Sequence, residues 1–410
     1  MVDIPSIEYC RSDFPIFAEK MNGKPLAFLD TASSAQKPQA VIEKMREVMS
    51  YHYANVHRGL YNFSQVTTQE YETVRGKTAD FLNAHSEREI VFTRNTTEAV
   101  NLVAQSWGVG NLTAGDEIIL TAMEHHANIV PWQLLQERLQ FSIKVVPVLE
   151  NGTLDFEAFQ NLLSEKTKLI AVVHASNALG TINPVERIVK AAKAFNPAIL
   201  ALVDGSQSIV HGEVDVQELG CDFFVFTGHK LYGPTGVGVL WAKEDILQAM
   251  RPYQGGGDMI ERVSFDGTTY KPAPARFEAG TPAFVEVIGL GAAIDYVRTV
   301  GRNNIAAHEK ALLDTMTREV AKVDGLKFYG RAQEKVGIVS FTAEWAQSSD
   351  IAMILDKQGV AVRAGHHCCM PLMQAFGIDG TIRASLGLYS NENDINALVQ
   401  GLKKAKELLG

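Results

Sequence analysis

Residues 199–241 read ILALVDGSQSIVHGEVDVQELGCDFFVFTGHKLYGPTGVGVLW. Two apolar runs in this stretch, Ile199–Asp204 and Phe223–Phe226, are continuous rather than alternating, and each leads into a polar, Gly-containing turn. A strand that is apolar on both faces is buried on both faces. A third run, Val237–Trp241, follows after a Gly/Pro-rich loop too short for a helical crossover. It is therefore expected to return antiparallel, as an edge strand. Working outward, the runs Glu89–Thr93, Glu117–Ala122, Ser142–Val148 and Leu169–His174 have the same character. Helical patterns at Glu98–Ser106, Pro131–Leu139, Phe156–Ser164 and Val185–Phe195 lie between the runs. Strand–helix alternation of this kind implies parallel βαβ units and a doubly wound α/β fold. The pattern breaks at Gly255–Gly257 and at Pro272 and Pro274, and a helix is expected over Val285–Val300. Beyond it, helices at Ala306–Val323, Asp350–Gln358 and Glu392–Leu409 frame short strands at Val336–Phe341, Val360–Arg363 and Thr381–Ser385. That reads as a smaller α+β domain. The expected organisation is an N-terminal segment (1–25) packing on the small domain, a large domain (26–295) and a small C-terminal domain (296–410).

Composition bounds the function. The chain has 410 residues, 46% hydrophobic and 21% charged, which excludes a disordered or collagen-like chain. Its 38 Lys and Arg against 47 Asp and Glu give a net charge of −9, the wrong sign for a general nucleic-acid binder. No apolar stretch approaches the ~18 residues of a membrane-spanning helix. The N-terminus shows no basic region followed by an apolar one, so no secretory signal is expected. Four cysteines, two of them adjacent, are too sparse for a disulfide framework. A reduced, cytoplasmic setting is the expectation.

Several positions carry chemistry. Lys230 follows a buried strand in a Gly/Pro loop, and the carboxyl ends of such strands are where α/β sheets place ligands. A lysine in a loop is ordinarily solvated, but one held beside a cofactor can form a Schiff base. Asp204 closes another strand. It suits a turn, or a carboxylate that pairs with a cationic ring nitrogen, with Gln207 three residues on. Asn95 and Glu98 have capping-box spacing around Thr96 and Thr97, a good helix start whose free N–H groups can also bind phosphate. His125 and His126 are adjacent and lack a third ligand at zinc-like spacing, so no metal is expected, and one imidazole suits ring stacking and proton transfer. Arg363-Ala-Gly-His-His-Cys368-Cys369-Met-Pro371 reads as a loop in which neighbouring cations would lower a thiol pKa. A vicinal disulfide there would be strained. Arg383, in a short strand, suits a salt bridge or a carboxylate clamp.

Together, and in this order, these motifs resemble one family. The stretches Asn55-Val-His57-Arg58-Gly59, Glu124-His-His-Ala-Asn-Ile-Val-Pro-Trp132, Val203-Asp-Gly-Ser-Gln207, Thr227–Gly236, Arg276-Phe-Glu-Ala-Gly-Thr-Pro282 and Arg363–Pro371 look like those of the group II (SufS/CsdA-type) cysteine desulfurases. The resemblance covers essentially the whole chain. It implies fold type I of the pyridoxal 5'-phosphate (PLP) enzymes, with a seven-stranded, mostly parallel sheet in the large domain and the cysteine loop on the small one. It implies that Lys230 carries the cofactor and moves the Cα proton, that Asp204 holds the pyridinium and Gln207 a ring oxygen, and that His125 stacks on the ring. Thr96, Thr97, Thr227 and His229 would bind the phosphate, with Thr281 reaching over from the partner of a homodimer. Asn177 and Arg383 would hold the substrate carboxylate. Cys368 would accept sulfur, Arg363 lies in its loop, and His57 and Arg58 sit near the mouth. The implied substrate is L-cysteine, the product L-alanine, and the acceptor a SufE- or SufU-like protein in iron–sulfur cluster assembly. Selenocysteine lyase activity, or a sulfur carrier or scaffold without catalysis, are the alternatives. Two departures stand out. Asn95 occupies a place where glycine is usual, and Asn tolerates the same left-handed backbone. Cys369 follows Cys368 where a small or polar residue is usual.

Overall fold

The protein is described as a computed structural model covering residues 7–410. The first six residues, which begin the expected 1–25 segment, lie outside the described residues. The large sheet has seven strands: β1 (Ile90–Thr93), β2 (Glu117–Thr121), β3 (Ser142–Val146), β4 (Thr167–Val173), β5 (Leu200–Asp204), β6 (Phe223–Thr227) and β7 (Gly238–Ala242). Their spatial order is β1-β7-β6-β5-β4-β2-β3. β3, β2, β4, β5 and β6 run parallel, joined by helices that include Val130–Leu139, Phe156–Leu162 and Val185–Phe195.

Residues in succession along a strand enter opposite apolar layers, which is why the runs are continuously apolar. Phe224 and Phe226 join Ile170, Val203 and Val239 on one face. Phe223 and Val225 join Leu169, Leu202 and Leu240 on the other. The helix Val185–Phe195 buries Val185, Ile188, Val189 and Ala192, a stripe at helical spacing that covers the first of these faces.

The antiparallel turn-back of β7 on β6 is as expected, with Thr227 opposite Gly238. Its edge position is not. β1 pairs antiparallel on the far side of β7, Thr93 opposite Gly238, so β7 is interior and β1 is the edge. β1 and β7 are far apart in the chain, so no local pattern signals their pairing. The close approach shows at Gly238, where a Cβ would sit 2.5 Å from the Asn95 backbone.

An exposed hairpin, β8 (Ile260–Ser264) and β9 (Gly267–Tyr270), fills what the sequence showed only as an interruption. The second sheet has the order β10-β11-β13-β12, from Leu326–Tyr329, Ile338–Ala343, Arg363–Gly365 (β12) and Thr381–Ser385 (β13). Helices Arg302–Val320 and Glu392–Leu409 cover it through Leu312, Met316, Val339, Phe341, Leu398 and Leu402. The short strand Ala27–Phe28 pairs with Val360–Ala361, which brings Asp30 beside this second sheet. The N-terminal segment touches both units. Arg11 binds Asp394 at 2.8 Å, and Phe14 packs on Tyr389, Tyr232 and Tyr296. Among the described residues no helix is long and apolar enough to cross a membrane.

Candidate active site

A cavity of about 230 Å³ lies at the carboxyl ends of β4, β5 and β6, roofed by the second sheet and its loops. Asp204 is the last residue of β5, level with Val173 of β4 and Val225 of β6. It is 3% exposed, and one carboxylate oxygen accepts the Ser206 N–H at 3.0 Å. The other accepts no bond from any described residue. Asp222, also buried, is by contrast fully engaged by Lys193, Lys243 and the Ala201 N–H. The turn depends on Gly205, where a Cβ would fall 1.8 Å from the Phe224 ring.

Lys230 enters from the loop after β6. That loop is pinned at the preceding residue, whose carbonyl accepts from the Ala35 N–H (3.1 Å) and the Lys37 amine (2.8 Å). The Lys230 amine lines the cavity and bonds to no described residue. Burial lowers its pKa, Asp204 opposes that shift and Arg383 adds to it.

His125 sits on the turn after β2. Glu124 organises that turn by accepting from Thr121, Asn128 and the Val173 N–H, and burial raises its carboxyl to about 8. The His125 Nδ1 accepts the Ala127 N–H at 3.0 Å, so the ring proton is on Nε2. Burial, then Lys230, lowers its pKa to about 4, which keeps it neutral.

Asn95, Thr96, Thr97, Ser206, Thr227 and His229 line the same cavity. The Thr96 and Ser206 hydroxyls meet at 2.8 Å. Asn95 caps its helix by accepting the Glu98 N–H at 2.9 Å. The Glu98 carboxylate turns away, to the Arg94 N–H and guanidinium. Asn95 has φ −175°, an extended conformation open to any residue, so the left-handed backbone expected there is not used. Asn serves as the cap instead.

The opposite wall belongs to the second sheet. Arg383, 2% exposed, gives Nη1 to the Asn177 carbonyl and Nη2 to Asp30 and the Ser33 hydroxyl, all within 2.9 Å. Its Nε is buried without a partner. Arg363 pairs with the other Asp30 oxygen at 3.4 Å. The Asn177 Nδ2 donates to the His367 carbonyl at 2.7 Å. The Gln207 Nε2 donates to the Ala32 carbonyl at 2.8 Å. Of the cations expected beside the cysteines, His367 is not one. Burial, then Arg383 and Arg363, pushes His367 down to about 3, and burial lowers His126 as well.

Lys230, Asp204, Gln207, His125, Thr96, Thr97, Thr227, His229, Asn177, Arg363, Arg383 and Cys368 thus share one cavity. Thr281, His57 and Arg58 do not line it. Thr281 is exposed on a separate groove with Arg94 and Tyr253, His57 pairs with Glu72, and Arg58 with Asp258. Sequence reasoning missed Ser206, His367, Ser33 and Asp30. Ser206 was within reach, since it lies between Asp204 and Gln207. Asp30 meets its arginine across 353 positions, and no local pattern announces such a contact.

The residues fit PLP. A carboxylate oxygen without a partner, an amine without a partner and a neutral imidazole surround the space for a ring. Hydroxyls and N–H groups at the start of the helix at Thr96 suit a phosphate. Asp204, Lys230, His125, Gln207, Thr96, Thr97, Ser206, Thr227 and His229 are the residues that would hold it.

The cysteines differ sharply. Cys368 is half-buried on the cavity wall. Cys369 is buried, donates to the Asn177 Oδ1 at 3.1 Å, and is pushed up to about 12 by burial. Cys10 and Cys221 are buried too. Iodoacetamide at mildly alkaline pH is therefore expected to modify Cys368 at least about tenfold faster than the other three. Peptide mass mapping over time checks this, and equal labelling of Cys369 would contradict the geometry.

The aminotransferase class-V family model matches residues 27–398. A cysteine desulfurase of Cronobacter sakazakii is 50% identical over 406 residues, covering 99% of both chains. The crystal structure of the cysteine desulfurase CsdA from Escherichia coli superposes with a TM-score of 0.90 at 37% identity, over 98% of each chain. The apo cysteine desulfurase of Thermococcus onnurineus gives a TM-score of 0.92 at 37% identity, over 100% of this chain and 99% of that one. A single family model spanning both sheets, and relatives alike from end to end, place the whole molecule rather than one unit of it: the chain belongs to the aminotransferase class-V family.

Proposed function

We propose that this protein is a PLP-dependent cysteine desulfurase, which takes sulfur from L-cysteine, releases L-alanine and carries the sulfur as a persulfide on Cys368. One observation carries this reading. The accessible cysteine faces the same cavity as Lys230 and Asp204, while the Arg383 Nε is left without a partner in the wall. A buried guanidinium N–H without an acceptor suits a substrate carboxylate. Arg383 and Asn177 bind that carboxylate and Arg363 guards its approach. Asp204 holds the ring nitrogen charged, and Gln207 and His125 fix the ring. Thr96, Thr97, Ser206, Thr227 and His229 take the phosphate.

Bound PLP supplies an electron sink for the pair released when the Cα–H bond breaks. The chain does the rest. Lys230, whose pKa burial lowers, accepts the Cα proton as a neutral amine. His125 offers its Nε2 proton to the reacting groups. The Cys368 sulfur bonds to the substrate sulfur as the Cβ–S bond breaks, and the pair left on Cβ takes up a proton to complete alanine. The persulfide then passes to a SufE- or SufU-like acceptor for iron–sulfur cluster assembly in the cytoplasm. A homodimer brings Thr281 of a second copy to the phosphate and places His57 and Arg58 at the mouth.

The test is an assay of the PLP-loaded protein with L-cysteine and a reductant. Alanine and sulfide are expected in equal amounts. Loaded protein that binds L-cysteine but forms no alanine would overturn the reading.

A further inference from the structure

Four successive residues of the cysteine loop are tied alternately to two different walls. On the cavity side, Asn177 receives its bonds from, or gives them to, every other residue: its Nδ2 donates to the His367 carbonyl, and its Oδ1 accepts from the Cys369 thiol. On the outer side one residue does the same for the two positions between and beyond. The His126 N–H donates to the Cys368 carbonyl at 2.8 Å. The Met370 N–H donates to the His126 Nε2 at 3.1 Å. His126 thus grips the loop on both sides of Cys369, and its ring lies against His366 at 5.6 Å. It does not line the cavity, and its only ring contact with a residue assigned to PLP is with its neighbour His125, at 6.2 Å.

The loop needs such a grip. His367 and Cys368 both have left-handed backbones, φ 53° and 57°, which L-residues avoid. Local bonds alone, such as the Cys368 N–H to the His366 Nδ1 at 3.0 Å, move with the loop and do not fix it against the cavity. The Met370 N–H is also one of the free donors at the start of the helix Met370–Ala375, and it is satisfied only through His126. An accepting Nε2 requires a neutral ring with its proton on Nδ1, in keeping with the lowered pKa of His126.

We propose that His126 is a positioning residue for the nucleophile. Its imidazole fastens the loop from the large sheet's side, so that Cys368 is held over the substrate sulfur rather than swinging into solvent. The inference rests on the desulfurase reading for its kinetic part and on geometry alone for its labelling part.

The experiment uses the PLP-loaded protein and the variants His126→Ala and His126→Gln. Alanine removes the side-chain acceptor and keeps the backbone bond, while the Gln carbonyl can reach the Met370 N–H. In His126→Ala, kcat for alanine formation is expected to fall about tenfold, the loss of roughly one hydrogen bond's worth of positioning. KM for L-cysteine and the cofactor absorbance are expected to hold, and Cys368 alkylation is expected to quicken several-fold. His126→Gln is expected to recover most of both. Unchanged kcat and unchanged alkylation in His126→Ala would overturn the proposal, as would a loss shared by cofactor binding. A wild type that makes no alanine would instead sink the desulfurase reading, and the alkylation rates would still decide the clamp.

Discussion

Lys230→Ala is expected to abolish turnover while leaving a folded and slightly more stable apoprotein. The activity side follows from geometry. The Lys230 amine faces the cavity beside Asp204, and no described residue engages it. On the proposed function, its removal takes away both the covalent hold on PLP and the base for the Cα proton. General-base losses alone are worth about 10²–10⁴-fold, so a fall in kcat of about 10³-fold or more is expected. The stability side follows from the sign of the shift. Burial lowers the Lys230 pKa below 10.5, so the folded chain binds the proton less readily than the unfolded one. Stability then rises with pH up to the unfolded pKa, and at neutral pH the lowered proton affinity of the buried amine is a cost to the fold. Alanine removes that cost. Apoprotein Tm at pH 7 is expected to rise, and the gain should shrink towards pH 10. A variant that keeps turnover, or one with a collapsed Tm, would show that Lys230 is a structural lysine.

The balance of gain and loss at one position explains why some of the site was legible in the sequence. Asp204 and Lys230 each follow a buried strand that runs into a polar, Gly-containing turn, so the apolar runs pointed to them, and His125 was marked by the histidine beside it. The class of fold followed from the same runs, because Phe223 to Phe226 alternate between two apolar layers. What remained hidden was contact across the chain. The interior place of β7 depends on β1, more than 140 positions earlier. Asp30 binds Arg383 and Arg363 from the other end of the chain, so the salt bridge that Arg383 suited had no visible partner in the sequence. The hairpin at Ile260–Tyr270 is exposed along nearly its whole length and so carries no buried pattern to read. The chemistry of the cysteine loop was misjudged for a physical reason. Histidines near a thiol look like cations in a sequence, but burial makes His367 neutral.

The sharpest separation of roles is expected from Cys368→Ala and Cys369→Ala side by side. Cys368→Ala should bind PLP and L-cysteine as the wild type does, since its side chain is half-buried on the wall and holds no other residue. Alanine is the right replacement. It keeps a Cβ at φ 57°, so the backbone cost is unchanged, whereas glycine would release the loop. Alanine and sulfide formation should nonetheless fall about 10³-fold or more, as expected when a nucleophile is deleted from an intact site. Cys369 cannot take over. Its thiol is turned to Asn177, buried, and pushed up to about 12, so it supplies almost no thiolate at neutral pH. Cys369→Ala should therefore keep most of kcat, and its cost should appear in KM, because Asn177 loses the partner that orients its amide. L-Selenocysteine gives an internal control. The C–Se bond is weaker than C–S, so Cys368→Ala should still form alanine from it: Cβ keeps the bonding pair and takes up a proton, selenium leaves at the zero-valent level, and the added reductant carries it to selenide. If Cys369→Ala, rather than Cys368→Ala, lost turnover with L-cysteine, the nucleophile would be misassigned. If neither did, sulfur would leave without a protein thiol, and the persulfide would not be part of the reaction.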